Sequence, residues 1–142
     1  MPEDLHILHG DIQLKNVMLS NDEMILIDRE TLMCGNPVFE FAGLYMSYMI
    51  FNEDEPGNSL EFSGYSAEIC SGLFHETLRK YLGKPDEATY RETLDRIRLL
   101  GYVRFLYVLS VIGGKPEYYE QRIIHSREHL TELCSSVKAL AI

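Results

Sequence analysis

The spacing of apolar positions changes near residue 36 of the chain. Before this point the apolar runs are short and separated by polar turns, which is typical of β-strands. Residues 5–9 predict one strand, and residues 16–19 and 24–27 predict two more, joined by a polar turn at residues 20–23. Because the last two strands would form a hairpin, we expect its open end to bring Asn16 and Asp28 close together.

Beyond residue 36 the pattern predicts four helices. Asn36 is a suitable N-cap and Pro37 suits the first helical position, so the first helix should run to about residue 51. Its side chains are apolar almost all round, which predicts burial at the centre of the fold. Residues 52–64 predict a loop. The other helices are predicted at residues 66–82 with Ser66 as the cap, at residues 86–112 ended by Gly113 and Gly114, and from about residue 116 toward residue 140.

The predicted fold class is therefore mainly α, with a small β-hairpin region packed on a helical body. At 142 residues the chain is one domain or part of one, with residues 1–35 as the β region and residues 36–142 as the helical body. A net charge of -9 without a basic patch argues against nucleic acid as a partner. The acidity is compatible with a cationic substrate, although most acidic domains are simply soluble.

The cysteines and the N-terminus indicate the compartment. Three cysteines, Cys34, Cys70 and Cys134, are far apart and form neither a CxxC pair nor a zinc spacing. We expect free thiols in a reducing cytoplasm. The acidic N-terminus carries no apolar signal segment, and the longest apolar stretch, residues 99–112, is interrupted by Arg104 and too short to cross a bilayer. A cytoplasmic protein without membrane association is predicted.

The most informative chemistry lies in residues 8–28. Asp11 is followed five residues later by Asn16, and Asp28 ends the second strand of the predicted hairpin. Kinase-type phosphoryl-transfer sites use this order of base, amide ligand and carboxylate ligand. Asp11 would accept the proton of an attacking hydroxyl, while Asn16 and Asp28 would offer the hard oxygen ligands that Mg²⁺ prefers. The alternative is an ordinary turn with Asp and Asn at turn-favoured positions.

The neighbours of these residues carry less specific signals. His9 is expected to hold the turn by hydrogen bonding rather than to transfer protons, and Gly10 permits a tight backbone beside Asp11. Lys15 could contact a phosphate or be a solvated loop lysine. Glu30 could support Asp28 or be a surface carboxylate. These alternatives remain open from the sequence.

Two clusters outside the motif are interpreted as surface features. His125 and His129 are four residues apart on a predicted helix and could share a metal. However, there is no HExxH pattern, and the surroundings indicate an exposed helical face. The acidic run at residues 53–55 is interpreted as a solvated loop, with a cation-binding rim as the alternative.

Three features follow one another along the chain. They are an HGDxxxxN motif at residues 9–16, a strand ending in Asp28 and a helix start at residues 37–42. In this order they resemble the aminoglycoside phosphotransferase and choline kinase superfamily. The resemblance implies that Asp11 is the catalytic base and that Asn16 and Asp28 bind magnesium. It also implies that residue 40 anchors the catalytic loop, and here Glu40 stands where the family usually has Asp.

The resemblance further implies a two-lobed enzyme that uses ATP and Mg²⁺. Family members carry an N-terminal lobe with the ATP-binding lysine, whereas this sequence contains neither a glycine-rich phosphate loop nor a strand lysine of the V-A-I-K type. The expected fold is therefore the C-terminal lobe of a protein-kinase-like fold. One interpretation is a catalytic half that phosphorylates a small-molecule hydroxyl once a partner chain supplies the other lobe. The alternative is a truncated, inactive remnant that acts by binding or oligomerisation.

The missing lobe also leads to a prediction about the surface. Faces that the N-terminal lobe would cover are expected to be exposed and apolar. Because large exposed apolar patches are rare on soluble monomers, we predict a homo-oligomer that covers them. The acceptor is not specified, since the helical part that would form its pocket carries no motif of its own.

Overall fold

The computed structural model describes residues 5–55, 57–112 and 116–140. The fold is mainly helical with two small antiparallel sheets, which confirms the predicted fold class. The predicted helix stop at Gly113 and Gly114 lies outside the described residues.

The N-terminal part of the chain forms two strand pairs. β1 (His6–Leu8) pairs with β4 (Met33–Gly35), and β2 (Val17–Ser20) pairs with β3 (Glu23–Leu26). The β2–β3 hairpin confirms the predicted one. Its two turn residues, Asn21 and Asp22, have φ angles of 50° and 64°, a left-handed conformation that Asn and Asp tolerate better than most residues. The partner strand β4 was not predicted, because three residues carry too little pattern.

The first helical segment is a continuous rod of three pieces. α1 (Val38–Tyr45) continues into a π-helical turn (Met46–Ile50) and a short last turn, α2 (Phe51–Glu53). The side-chain oxygen of Asn36 accepts a hydrogen bond from the Val38 N–H at 3.0 Å, which confirms the predicted cap. The predicted central burial is confirmed for most of the segment, although Phe39 faces outward and is 49% exposed.

A short helix, α3 (Asn58–Ser63), lies in the segment that was predicted to be a loop. The prediction was wrong because the cap of α3 comes from outside the helix. The side-chain oxygen of Asn52 accepts from the Ser59 N–H at 2.8 Å, and the Asn58 amide donates to the Phe51 carbonyl at 2.9 Å. Such contacts leave no local signal in the sequence.

The remaining helices lie close to their predicted positions. They are α4 (Ala67–Tyr81), α5 (Glu87–Ile112) and α6 (Pro116–Ser136). Ser66 caps α4 as predicted, since its hydroxyl accepts from the Ile69 N–H. α6 ends earlier than predicted, at Ser136 rather than near residue 140.

The core lies where α1 and the π-helical turn pack against α4 and α5, with α6 against α5. Its fully buried members come from all of these helices and include Ile50, Phe74, Leu78, Ile97, Tyr102 and Phe105. Gly101 allows α1 and α5 to approach closely, because a Cβ there would lie 3.2 Å from the Tyr45 ring.

The strands carry large apolar side chains on the surface, as expected for a face that another protein surface could cover. Ile7, Leu19 and Met24 are 84%, 75% and 78% exposed. None of the described helices is both long and apolar enough to cross a membrane. All three cysteines are free thiols, Cys70 buried and the other two exposed.

Candidate phosphoryl-transfer site

The turn after β1 is anchored by a single carboxylate. Glu40, in the first turn of α1, accepts backbone hydrogen bonds from His9 at 2.6 Å and Gly10 at 3.1 Å through Oε2. It accepts a third from the Ile12 N–H at 3.3 Å through Oε1. The anchoring implied for residue 40 is thus present with Glu in place of Asp. A charged acceptor for three converging N–H groups fixes the loop backbone on both sides of Asp11.

Gly10 is required by the shape of this turn. Its φ angle is +82°, and a Cβ at this position would lie 2.5 Å from the carbonyl oxygen of Thr31. Its own carbonyl oxygen accepts a hydrogen bond of 2.9 Å from the guanidinium of Arg104 on α5. The turn is therefore in contact with Thr31 of the β region on one side and with Arg104 of the helical body on the other.

His9 joins the turn that contains Asp11 to the end of the hairpin. Its ring nitrogen Nε2 lies 2.9 Å from the carbonyl oxygen of Ile27, and because a carbonyl only accepts, Nε2 carries the proton. The His9 carbonyl in turn accepts from the Thr31 hydroxyl at 2.7 Å. The side chain is buried. These contacts confirm that His9 holds the turn by hydrogen bonding.

Asp11 and Asn16 are brought into direct contact. The Asn16 amide nitrogen donates to the Asp11 carbonyl at 2.8 Å and to its carboxylate oxygen Oδ2 at 3.2 Å. The Gln13 amide donates to the other carboxylate oxygen, Oδ1. The Asp11 carboxylate is thus oriented by two amide groups. Because the NH₂ group of Asn16 is already used, its amide oxygen is the atom left for another ligand.

Asp28 lies two residues after the end of β3, at the open end of the hairpin. The Ile27 N–H donates to the Asn16 carbonyl at 2.9 Å, so the backbone at residues 27–28 runs beside Asn16. Asp28 has φ and ψ angles of 60° and 61°, a left-handed conformation. Its side chain is exposed and makes no hydrogen bond or ion pair with the residues that the structure describes. It is available to a ligand from solvent.

Tyr48 supports the second half of the loop. Its hydroxyl oxygen accepts a hydrogen bond of 2.9 Å from the Leu14 N–H. Burial raises the pKa of the Tyr48 hydroxyl above its ordinary value, and the Leu14 hydrogen bond offsets part of this rise. Tyr48 therefore stays a neutral acceptor over the whole physiological range.

Two predicted site residues lie apart from this network. Lys15 is exposed, and its ammonium group lies over the ring of Phe62, 5.0 Å from the centroid. Glu30 is exposed on the short helical turn Arg29–Thr31. Neither side chain is placed against Asp11 or Asn16 by a hydrogen bond.

A cavity of about 610 Å³ opens beside the turn that contains Asp11. Gln13 lines it, so one side chain belongs to both the cavity and the Asp11 network. The other walls come from the helical body, with Met46, Ser47, Phe51, Asn58, Ser59, Glu61, Phe62, Leu109, Tyr119 and Arg122. This volume is within the range of small-molecule sites.

Sequence reasoning missed three residues that hold the turn. Gln13 stands two residues from Asp11 and could have been proposed from that spacing. Arg104 had a signal too, as a lone cation within an apolar helical stretch. Tyr48 had none, because its role depends on the packing of α1 against the loop.

The histidine pair is less exposed than the sequence indicated, and the acidic run is exposed in part but makes specific contacts. His125 and His129 are half-buried on α6, which corrects the prediction of an exposed helical face. Each acidic residue of the run has a partner: Glu53 accepts from Tyr102, Asp54 contacts His125 and Glu55 pairs with Arg122. The run therefore joins the end of α2 to α5 and α6, while Glu53 and Asp54 remain exposed to solvent.

A glycine turn anchored by a carboxylate, with an Asp–Asn pair and a strand ending in Asp, defines a site of the phosphotransferase type. The model of the phosphotransferase enzyme family matches residues 1–92, a range that contains the whole turn, both strand pairs and α1. The chain belongs to this family, which confirms the resemblance found in the sequence. No curated protein and no solved structure gives a significant match to the chain.

Proposed function

We propose that the chain is the catalytic half of an ATP- and Mg²⁺-dependent phosphotransferase that acts on a hydroxyl group of a small molecule. The observation that carries the proposal is the Asp11 carboxylate, held by the amides of Gln13 and Asn16 in a turn that Glu40 anchors. An ordinary surface turn is not expected to make so many hydrogen bonds around one carboxylate. A phosphoryl-transfer site does, because its catalysis consists largely of positioning and electrostatic stabilisation.

The donor atoms fit a magnesium ion. Asn16 offers a neutral amide oxygen and Asp28 an anionic carboxylate, and such hard oxygen ligands are the ones that Mg²⁺ prefers. The hydrogen bonds of Asn16 support this assignment, since they use its nitrogen and leave its oxygen. When bound, the ion would neutralise negative charge on the phosphates.

Asp11 would act on the acceptor. Its carboxylate would accept the proton of the attacking hydroxyl and align the oxygen with the γ-phosphorus of ATP; a positioned base typically contributes about 10²–10⁴-fold in rate. Gln13 and Asn16 would hold the carboxylate in one orientation throughout. His9 and Glu40 would keep the loop backbone in place and touch neither substrate.

The cavity beside Gln13 is the site that we propose for the acceptor. Its volume of about 610 Å³ suits a small molecule, and its walls are mainly apolar with a few polar groups. Glu61 and Arg122 supply a carboxylate and a guanidinium at the cavity wall, and because Arg122 pairs with Glu55, we propose that Glu61 contacts a cationic acceptor. The excess of acidic residues in the chain favours the same charge.

The exposed apolar strands would be covered in the working protein. Leu19 and Met24 are paired across the hairpin and both are exposed, as is Ile7 on β1, and exposed apolar side chains of this kind are typical of surfaces that bind another protein. We propose that this cover is an N-terminal lobe of the kind that family members carry, or a second copy of this chain in a homo-oligomer. Lys15, beside the same hairpin, could then reach a phosphate if it leaves the Phe62 ring.

The exposed strands also favour the second candidate, a truncated and inactive remnant that acts as a binding or oligomerisation module. The two candidates differ in nucleotide affinity. A catalytic half binds ATP through Asn16 and Asp28, whereas a remnant folds without responding to nucleotide.

Calorimetric titration with ATP, with and without Mg²⁺, tests the proposal. We expect magnesium-dependent binding that Asp28→Asn weakens sharply and that Glu30→Gln, an exposed neighbour, leaves unchanged. Asp11→Asn should retain this binding and abolish phosphoryl transfer to acceptors. Absence of binding at millimolar ATP would reject the catalytic half for the isolated chain and favour the remnant.

A further inference from the structure

Three side chains with metal-ligating atoms meet where α6 passes the end of α2, away from the Asp11 site. They are Glu53, His125 and His129, and their ligand atoms all lie within 4.8 Å of one another. The two histidines are four residues apart and therefore project from the same face of α6. Their Nε2 atoms are 3.1 Å apart. No other three His, Cys, Asp or Glu side chains come this close in the part of the chain that the structure describes.

We propose that Glu53, His125 and His129 bind a divalent transition-metal ion of the zinc class. In a tetrahedral zinc site with bonds of about 2.0–2.1 Å, two nitrogen ligands are about 3.3–3.4 Å apart. The observed separation of 3.1 Å between the two Nε2 atoms is already close to this value. The ligand atom of Glu53 lies within 4.8 Å of both imidazole ligand atoms, so a small shift of these side chains would bring all three to bonding distance from one ion. Two imidazoles and one carboxylate, completed by water, form a known zinc donor set.

A second layer of contacts orients these ligands. The carboxylate oxygen Oδ1 of Asp54 lies 3.3 Å from Nδ1 of His125. This contact favours a proton on Nδ1 and leaves the Nε2 lone pair directed toward His129. Metal-binding histidines are typically supported by such a carboxylate on their other nitrogen.

Tyr102 fixes the other two ligands. Its hydroxyl donates to Oε1 of Glu53 at 2.7 Å, and its ring stacks on His129 with centroids 4.7 Å apart and planes at 15°. Tyr102 is fully buried on α5, so both ligands contact a side chain of the core. The carboxylate keeps further lone pairs for a metal ion.

The ligand chemistry separates this site from the proposed magnesium site. Imidazole nitrogen suits zinc, cobalt, nickel and copper, whereas magnesium prefers oxygen ligands. An ion bound here would link α6 to α2 beside the ion pair between Arg122 and Glu55, whose charged atoms are 2.9 Å apart. Because the ligands converge only in the folded chain, the ion would stabilise the fold.

The test is a zinc titration of the full chain after dialysis against a chelator, followed by calorimetry and by thermal unfolding. We expect a single ion per chain and a higher unfolding temperature. Cobalt in place of zinc should give the visible absorption bands of tetrahedral coordination. Glu53→Gln and His129→Gln should each lower zinc affinity by at least about tenfold, and Asp54→Asn by about 10–100-fold.

The controls are residues of matched type outside the cluster. His75→Gln on α4 and Cys134→Ser on α6 should leave zinc affinity unchanged, and far-UV circular dichroism should show that every variant is folded. Equal affinity in wild type, Glu53→Gln and His129→Gln would overturn the proposal. So would a loss of binding in Cys134→Ser, or cobalt binding without tetrahedral bands.

Discussion

The ring of His9 and the carbonyl of Ile27 are joined by a hydrogen bond of 2.9 Å, which ties the turn containing Asp11 to the strand end containing Asp28. Two segments that lie far apart along the chain thus share one fixed geometry. The proposed base and the proposed carboxylate ligand depend on this contact for their relative positions, although neither makes it.

Replacement of His9 by Leu should therefore destabilise the fold and separate the two segments. The change removes the part-buried hydrogen bond to the Ile27 carbonyl, and loss of a hydrogen bond typically costs about 0.5–1.5 kcal/mol. Urea unfolding measures this free energy. His6→Leu, on exposed β1, is the matched control and should change it little. Equal stability of the two variants would show that the Ile27 contact contributes nothing.

Replacement of Glu40 by Ala should have a larger effect. Three backbone N–H groups lose a charged acceptor together, so we expect the free energy of unfolding to fall by about 3 kcal/mol. Glu40→Asp should recover part of this loss, because the shorter side chain cannot reach all three groups. Glu76→Ala, on the exposed face of α4, serves as the control. A Glu40→Ala variant as stable as Glu76→Ala would contradict the anchoring role.

Gly10 and Gly83 allow backbone strain and steric collision to be separated. Both have positive φ angles, +82° and +71°, but only at Gly10 would a Cβ meet another atom, the Thr31 carbonyl oxygen at 2.5 Å. Gly83→Ala should cost about 1–2 kcal/mol from its backbone conformation. Gly10→Ala should cost at least about 3 kcal/mol, because the Thr31 backbone must also move. Thermal unfolding of the two variants compares them; similar losses would mean that the collision is relieved without cost.

The accuracy of the sequence predictions follows the range of the interactions involved. Features that depend on neighbours within a few residues were predicted correctly. They are the β2–β3 hairpin, the caps at Asn36 and Ser66, and the span of α5. The order of Asp11, Asn16 and Asp28 also identified the family. These features are local patterns or fixed spacings.

The features that were missed depend on tertiary contacts. Arg104 reaches Gly10 across 94 positions, and Tyr48 reaches Leu14 across 34. α3 requires the side chain of Asn52 as its cap. The histidine pair was interpreted as surface because nothing local indicates that Glu53 would face it. In each case the partner is specified by helix packing, which spacing along the chain does not encode.

The pair of His75 and Tyr90 predicts how stability depends on pH. His75 Nδ1 lies 2.5 Å from the Tyr90 hydroxyl, between α4 and α5. Burial lowers the pKa of His75 below its ordinary value, and the positive charge of Arg79 lowers it further. Arg79 itself lies over the Tyr90 ring and pairs with Glu87. A neutral His75 ring, protonated on Nε2, accepts the Tyr90 hydroxyl hydrogen.

The direction in which stability changes with pH follows from the pKa of His75 in the folded and unfolded chain. The pKa of His75 is lower in the folded chain than in the unfolded chain, where it is about 6.5, so the unfolded state binds more protons as the pH falls. The stability from neutral His75 is therefore fully present above the unfolded pKa and is lost as the pH falls toward the folded pKa. Urea unfolding between neutral and mildly acidic pH should show a shallower decline for His75→Gln than for the wild type, while exposed His6→Gln keeps the wild-type slope. Parallel pH profiles for His75→Gln and the wild type would show that His75 titrates alike in both states.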